Sequence, residues 1–224
     1  MEENVLIIEA GRVEKQYFKD LWRYRELFVF LAWRDILVRY KQTVFGVLWA
    51  ILRPLMTMVV FTVVFGKIAK MPSNGVPYPI LVFAAMLPWQ FFASSFSGAS
   101  SSLISNSNLL TKIYFPRIIM PTSAVILALV DFFIAFVILA GLMLYYGYAP
   151  SWTILTLPIF ILLAFLLAMG AGLFIASLNV KYRDFQALVP FVVQFGLYIS
   201  PVGFSSQVVP EKWRVLYSLN QGEL

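Results

Sequence analysis

The chain has no cysteine, no histidine and few charged residues. Without cysteine, it can have no disulfides, thiol nucleophiles or cysteine metal sites. Without histidine, it lacks the commonest general base and metal ligand. We therefore expect no metal site in this chain and few means of acid–base catalysis.

Nucleotide-binding motifs are also absent. Nothing in the sequence matches the G-x-x-x-x-G-K-[ST] phosphate loop, and no G-x-G-x-x-G follows a predicted strand. ATP hydrolysis in this chain alone is therefore excluded. Any active transport must draw on a partner subunit or on an ion gradient.

The scarce charges are separated from long apolar stretches. Hydrophobic residues make up 61% of the chain and charged residues 12%, against about half and about a quarter in soluble domains. No charged residue occurs at positions 71–111, 132–180 or 185–210. Because a membrane-crossing helix needs about 20 apolar residues, these stretches predict an all-α integral membrane protein.

The apolar stretches divide into five predicted spans, which form a transmembrane domain over residues 44–206. The sequence shows no internal repeat and no separate soluble domain. The predicted bounds of the spans are Val44–Gly66, Pro79–Ser102, Ile118–Tyr145, Ile154–Leu178 and Ala187–Phe204.

Basic residues predict the orientation of these spans. Twelve lysines and arginines lie before the first span or in the loops after the second and fourth spans, whereas four lie on the other side. Since cytoplasmic loops carry the excess of basic residues, residues 1–16 are predicted to be a cytoplasmic tail. Residues 207–224 would then lie outside, where Trp213 and Tyr217 predict a short helix at the outer interface.

Residues 17–41 are predicted to form an amphipathic helix before the first span. Tyr24, Phe28 and Leu31 recur at helical spacing, and basic residues take much of the remaining surface. A basic helix rich in aromatic residues lies in the plane of the lipid headgroups. Continuity with a span favours this interpretation over a helix packed on a soluble partner.

Two ionisable residues fall inside the predicted spans. Arg53, next to Pro54, either extends back to the headgroups or binds a lipid phosphate with its planar guanidinium. Asp131 is either protonated, hydrogen-bonded across a helix interface or paired with Arg53. A structural pairing is favoured over a proton relay, because relays need several ionisable groups in series.

Small residues mark one face of the second span and of the fourth. Ser94, Ser97 and Ser101 share a helical face with Gly98. Such residues let helices approach closely, so tight packing is favoured over a hydroxyl-lined path for a sugar. The same packing is predicted for Ala168, Gly170, Ala171, Gly172 and Ala176.

Two short cytoplasmic loops carry charge, namely "NSNLLTKIYFPRIIMP" and "LNVKYRDF". Loops of this length do not fold alone. They either dock into a groove on a cytoplasmic partner or serve as turns that set the topology.

Five motifs together resemble the membrane subunit of polysaccharide-exporting type-2 ABC transporters. They occur in the same order and at fitting intervals, and the resemblance runs from about Tyr17 to Asn220. The motifs are "YKQTVFGVLWAILRPL", "PYPILVFAAMLPWQFF", "SNLLTKIYFPRIIMP", "NVKYRDF" and "SPVGFSSQVVPEKWRVLYSLN".

The resemblance implies a permease that exports a lipid-linked polysaccharide, of the O-antigen, capsular or teichoic-acid type, across the bacterial cytoplasmic (inner) membrane. It implies a homodimer with two cytoplasmic ATPase subunits, which bind the ATP and Mg, whereas this chain binds no cofactor and no nucleic acid. The family has a sixth span after the outer segment. This sequence does not continue into one, so we expect a truncated product.

The resemblance also implies which residues lie in the ATPase-coupling loops. They are Asn108, Lys112, Tyr114, Phe115, Arg117, Lys181, Arg183 and Asp184. Separately, we expect basic residues at the cytoplasmic face to attract the diphosphate headgroup of the lipid carrier, and these are Arg34, Arg39, Lys41 and Arg53.

Two other functional classes compete with a transporter subunit. An intramembrane enzyme acting on a lipid-linked sugar would explain Asp131, but general acid–base catalysis normally needs a pair of groups. A passive channel would need a ring of charges or a filter-like segment, and the sequence has neither.

Overall fold

The computed structural model describes residues 20–41, 46–73, 75–112, 114–150, 152–182 and 184–199. The predicted tail at 1–16 and the predicted outer segment at 207–224 lie outside these ranges, as does Arg183. The described residues are helical with no strand, which confirms the all-α class.

The helices follow one another with short connections. The described helices are α1 (Arg25–Tyr40), α2 (Gly46–Phe61), α3 (Tyr78–Ser105), α4 (Ser107–Leu110), α5 (Ile119–Tyr146), α6 (Leu157–Lys181) and α7 (Phe185–Ile199). α2 continues as a π-helical segment, Thr62–Ile68, and a 3-10 turn, Trp152–Thr156, leads into α6.

Prolines and one glycine set several helix ends. α3 and α6 each have a proline in their first two positions, where the missing N–H costs no helical hydrogen bond. α5 ends at Tyr146 and is capped by Gly147, which takes a left-handed conformation with φ +63°. Glycine adopts this conformation without the steric penalty of a Cβ, so the chain can turn sharply here.

Four of the five predicted spans are confirmed by length and composition. Within the described residues, the helices long and apolar enough to cross a bilayer are Leu48–Ile68, Tyr78–Ser105, Ile119–Tyr146 and Ile154–Lys181. The fifth prediction, Ala187–Phe204, overlaps the shorter apolar helix Phe185–Ile199. Its last residues lie outside the described ranges, so a fifth crossing stays a prediction.

α3 lies at the centre of the bundle, with α5 and α6 packed along it and α2 and α7 at its flanks. The aromatic side chains of Phe91 and Phe132 meet edge-on between α3 and α5, with ring centroids 5.6 Å apart. Large apolar side chains such as Leu144 (84% exposed) and Leu167 (64%) point away from this core. An outward apolar surface of this kind is suited to lipid.

The small residues allow the close helix crossings that the sequence predicted. A Cβ added at Gly172 of α6 would stand 2.6 Å from the Cβ of Ala99 in α3, and one at Gly98 would stand 3.2 Å from that of Ala124 in α5. Ala168 and Ala176 are fully buried. Gly170 is the exception, because it faces outward and no other part of the described chain lies within 4 Å of an added Cβ. It therefore takes no part in packing between helices of this chain.

α1 packs along the first half of α5. Leu31 is buried against Ile119, the Oγ of Ser123 donates to Asp35 at 3.3 Å, and Arg39 reaches Asp131. Positions 31, 35 and 39 share one helical face, and they meet successively later positions of α5. The two helices therefore run side by side in the same direction.

The other face of α1 and the residues just before this helix are uncovered. Trp22, Phe30 and Trp33 are 71%, 64% and 59% exposed, and the guanidinium of Arg25 lies over the Trp22 ring at 5.4 Å. Aromatic and cationic side chains in this arrangement suit the boundary between lipid and water. The location of α1 at the membrane surface stays a prediction.

Candidate functional site

Asp131 lies about halfway along α5 and binds two side chains from the end of α1. Its Oδ2 forms an ion pair with Arg39 Nη2 at 2.7 Å, and its Oδ1 accepts a hydrogen bond from the Tyr40 hydroxyl. Asp131 is therefore paired with Arg39 and not with Arg53, the partner that the sequence suggested. The pairing depends on tertiary structure, because the parallel course of α1 and α5 brings Arg39 level with Asp131.

Tyr40 remains a proton donor in this cluster. Burial of the Tyr40 hydroxyl, together with its hydrogen bond to the Asp131 carboxylate and the negative charge of that group, raises the pKa of Tyr40 above its usual value of about 10. Arg39 opposes this shift only in part. The hydroxyl is therefore neutral at physiological pH and donates to Asp131 throughout.

A cavity of about 130 Å³ opens beside this cluster, between α2, α3 and α5. It brings together four residues that the sequence singled out, namely Arg39, Arg53, Asp131 and Ser94. The remaining lining residues are Trp49, Ala50, Pro54, Phe83, Met86, Leu87, Gln90, Phe91, Ala128, Phe132 and Ala135. We call this space the arginine cavity.

Arg53 supplies the second cation of the arginine cavity. It forms no ion pair with any carboxylate of the described chain. Pro54 has no N–H to donate to the carbonyl of Ala50 one turn earlier, and both residues line the cavity. Thr57 Oγ1 donates to the Arg53 carbonyl at 2.9 Å, which supports the backbone next to this proline.

The charges of the arginine cavity favour an anion. Two guanidinium groups and one carboxylate line it, which leaves an excess of one positive charge. Its volume exceeds what several waters need, so a phosphate group fits. Guanidinium binds phosphate oxygens through two parallel hydrogen bonds, while Trp49, Phe91 and Phe132 offer flat apolar surfaces on the same cavity.

Arg34 and Lys41, the other two predicted headgroup residues, lie outside the arginine cavity. Arg34 binds Asp35 at 2.7 Å and donates to Oδ1 of Asn106 at 3.1 Å. Asn106 in turn donates to the Ser102 carbonyl at the end of α3. Arg34 thus joins α1 to the connection between α3 and α4, and Lys41 is exposed after α1.

The predicted coupling loop presents mostly exposed residues. Asn108, Lys112, Tyr114 and Arg117 are exposed, whereas Phe115 is 3% exposed and packs against Leu31, Ile119 and Met120. Phe115 is therefore not available to contact a partner directly. It holds the loop against α1 and α5, and its neighbours face outward.

The second predicted loop is similarly exposed where it is described. Lys181, at the end of α6, places its ammonium 5.1 Å from the centre of the Tyr182 ring. Asp184 is exposed at the start of α7. These two residues and the coupling loop share the end of the bundle at which α3 and α6 finish.

Truncating Phe115 tests its anchoring role. Phe115→Ala removes a buried aromatic side chain, a change that costs about 3–5 kcal/mol in protein cores, and it is expected to release the loop from α1. We expect faster proteolytic cleavage at residues 107–117 in the purified protein. Tyr114→Ala, next in sequence and 48% exposed, is the control and should leave the cleavage rate unchanged.

The serine face of α3 divides between two roles. Ser94 lines the arginine cavity. Ser101 donates instead to the Ser97 carbonyl at 2.9 Å within the helix, which satisfies its hydroxyl locally. Ser97 and Ser101 do not line the arginine cavity.

A buried polar contact between α3 and α6 was not singled out from the sequence. Asn179, 1% exposed, donates through Nδ2 to the Ser100 carbonyl at 2.9 Å. A lone asparagine near the end of an apolar span is the signal that could have found it, because buried amides need hydrogen-bond partners. Gln90 and Trp49 of the arginine cavity were also missed.

Comparisons with known proteins agree with this architecture. The family described as "ABC-2 type transporter" matches residues 26–221. The O-antigen export system permease protein RfbA of Myxococcus xanthus is 28% identical over 194 residues, which cover 87% of this chain and 74% of that protein. RfbA of Klebsiella pneumoniae is 29% identical, over 86% of this chain and 75% of that protein.

A polysialic acid transport protein is a more distant relative. The polysialic acid transport protein KpsM of Escherichia coli is 23% identical over 185 residues, or 80% of this chain and 70% of that protein. The family match spans most of the chain, including α1 and the coupling loop. This chain belongs to the ABC-2 type transporter family.

Proposed function

We propose that this chain is the permease subunit of an ATP-driven exporter that moves a lipid-linked polysaccharide across the bacterial inner membrane. The arginine cavity supports this proposal most directly. It holds Arg53, a cation without a described carboxylate partner, beside aromatic surfaces in a helix long and apolar enough to cross a bilayer. A phosphate-linked lipid with sugars attached offers the matching chemistry.

The energy would come from a separate protein. Two copies of a cytoplasmic ATPase, which bind ATP and Mg, would dock on a homodimer of this chain, with its amino terminus in the cytoplasm. Exposed Asn108, Lys112, Tyr114 and Arg117 would contact the ATPase, with Lys181, Arg183 and Asp184 nearby. Hydrolysis would then shift the bundle between two packed arrangements.

Deleting the gene in its host tests the transport function. We expect lipid-linked polymer to accumulate at the cytoplasmic face and to disappear from the cell surface, measured by extraction and surface labelling of the polymer. Normal surface polymer after deletion would contradict the proposal.

The coupling assignment has its own prediction. Lys112→Ala combined with Arg117→Ala is expected to reduce copurification of the ATPase and its stimulated hydrolysis several-fold, because charged contacts set docking affinity and register. The control is Lys67→Ala combined with Lys70→Ala, an equal loss of charge. These lysines lie beyond α2, near the start of α3, whereas the coupling loop follows the end of α3. Equal ATPase binding by both double variants would contradict the assignment.

A further inference from the structure

Asp131 places a carboxylate next to Arg39 inside the arginine cavity, and the export function alone does not explain why it is there. Its side chain is 21% exposed and that of Arg39 is 45% exposed, and both line the arginine cavity. Asp131 is thus already paired with Arg39, one of the two cations that an incoming anion would bind. The second cation, Arg53, has no such partner among the described residues.

We propose that Asp131 is a built-in counter-ion that competes with the phosphate groups of the ligand for Arg39. The inference rests on the proposed export function and concerns how the ligand is released. Arg53 binds the diphosphate first, and Arg39 then exchanges Asp131 for a phosphate oxygen. When the ligand leaves, Asp131 takes Arg39 back.

The physical reason is that a transport site must bind its ligand without retaining it. Two guanidinium groups in a partly buried site hold phosphate oxygens strongly through paired, charge-assisted hydrogen bonds. A carboxylate within reach of one of them lowers the net gain from binding. Tyr40, which donates to the other oxygen of Asp131, holds the carboxylate ready to take Arg39 back.

A purely structural role for Asp131 makes different predictions. If Asp131 only ties α1 to α5, its loss would loosen the bundle and weaken binding of any ligand. If it is a counter-ion, removing its charge would strengthen binding of an anion and slow its release. Affinity for an anionic probe therefore separates the two roles, whereas protein stability does not.

The test measures binding of farnesyl diphosphate to the purified full chain in detergent, with farnesol and inorganic pyrophosphate as comparison ligands. Asp131→Asn is expected to bind farnesyl diphosphate roughly tenfold more tightly than wild type, the size expected for removing one unit charge several ångströms away. Asp131→Glu keeps the charge and should restore wild-type affinity. Ser123→Ala, which removes a contact of Asp35 between the same two helices, is the control and should leave affinity unchanged.

A second variant keeps the test decisive if Asp131→Asn does not fold. Gln90 lines the arginine cavity from α3 and takes no part in the contact of α1 with α5. Gln90→Glu adds a carboxylate of almost the same size, and it is expected to weaken binding of farnesyl diphosphate by roughly tenfold. Unchanged affinity in Gln90→Glu would contradict an electrostatic site.

The export rate supplies the second readout. Tighter binding with slower turnover in Asp131→Asn supports the counter-ion, while equal or weaker binding overturns it. If Asp131→Asn binds equally or more weakly while Arg53→Gln still abolishes binding, only the counter-ion is overturned and the proposed export function stands. Wild-type protein that binds farnesol as well as farnesyl diphosphate overturns both. Equal affinity for inorganic pyrophosphate supports the counter-ion but contradicts a lipid-linked ligand.

Discussion

Replacing Arg53 with glutamine is expected to reduce polymer export by about 10- to 100-fold. Arg53 is the cation of the arginine cavity that has no described carboxylate partner. Loss of one charged hydrogen-bonding group to a phosphate removes about 1.5–3 kcal/mol of binding, which corresponds to that range. The measurement is the amount of polymer at the cell surface, normalised to the amount of permease in the membrane.

Two further variants make this result specific. Arg53→Lys keeps the charge but lacks the planar fork of guanidinium, so export should fall between those of wild type and Arg53→Gln. Lys67→Gln removes a cation from the far end of the same span, away from the cavity, and should export normally. Wild-type export by Arg53→Gln would show that the guanidinium only reaches back to the headgroups.

Replacing Gly172 with leucine is expected to destabilise the bundle at the contact of α3 with α6. An added Cβ already lies 2.6 Å from the Cβ of Ala99, and the rest of the side chain would have to enter the contact of α3 with α6. Overpacking of this kind costs about 1–3 kcal/mol, which lowers the thermal midpoint by roughly 5 °C. Thermal unfolding of the purified protein in detergent measures the change.

The matched control is Gly170→Leu on the same helix. Gly170 has nothing within 4 Å of an added Cβ, so leucine there meets lipid and also improves helix propensity. Gly172→Ala combined with Ala99→Gly moves the methyl group to the other helix and should recover most of the stability. Similar losses in Gly170→Leu and Gly172→Leu would contradict the close crossing.

The geometry of Asp131 also bears on the enzyme alternative. An intramembrane enzyme would need this carboxylate as an acid or base, but both oxygens are engaged, one by Arg39 and one by Tyr40. General acid–base catalysis works best with a second group positioned at the substrate. A charge-regulating role in a transporter uses the observed contacts as they are.

The membrane helices could be read from sequence because the bilayer imposes a length and a composition on each crossing. The second, third and fourth predicted spans match α3, α5 and the helix ending at Lys181 to within a few residues. The close approach at Gly98 and Gly172 followed from residue size alone, since only small side chains admit a second helix backbone. Phe115 shows the limit of this reasoning, because its motif did not indicate that the ring is buried.

The sequence by itself determined that the chain is an apolar helical membrane protein with no nucleotide-hydrolysing motif, because composition and periodicity are local properties. Only the tertiary structure decided which charges meet. Because Arg53 and Asp131 both lie inside predicted spans, the sequence suggested Arg53 as the ion-pair partner of Asp131. Arg39 is the partner in the structure, because α1 runs along α5. An ion pair depends on how helices are arranged in space, and spacing along one chain does not specify that arrangement.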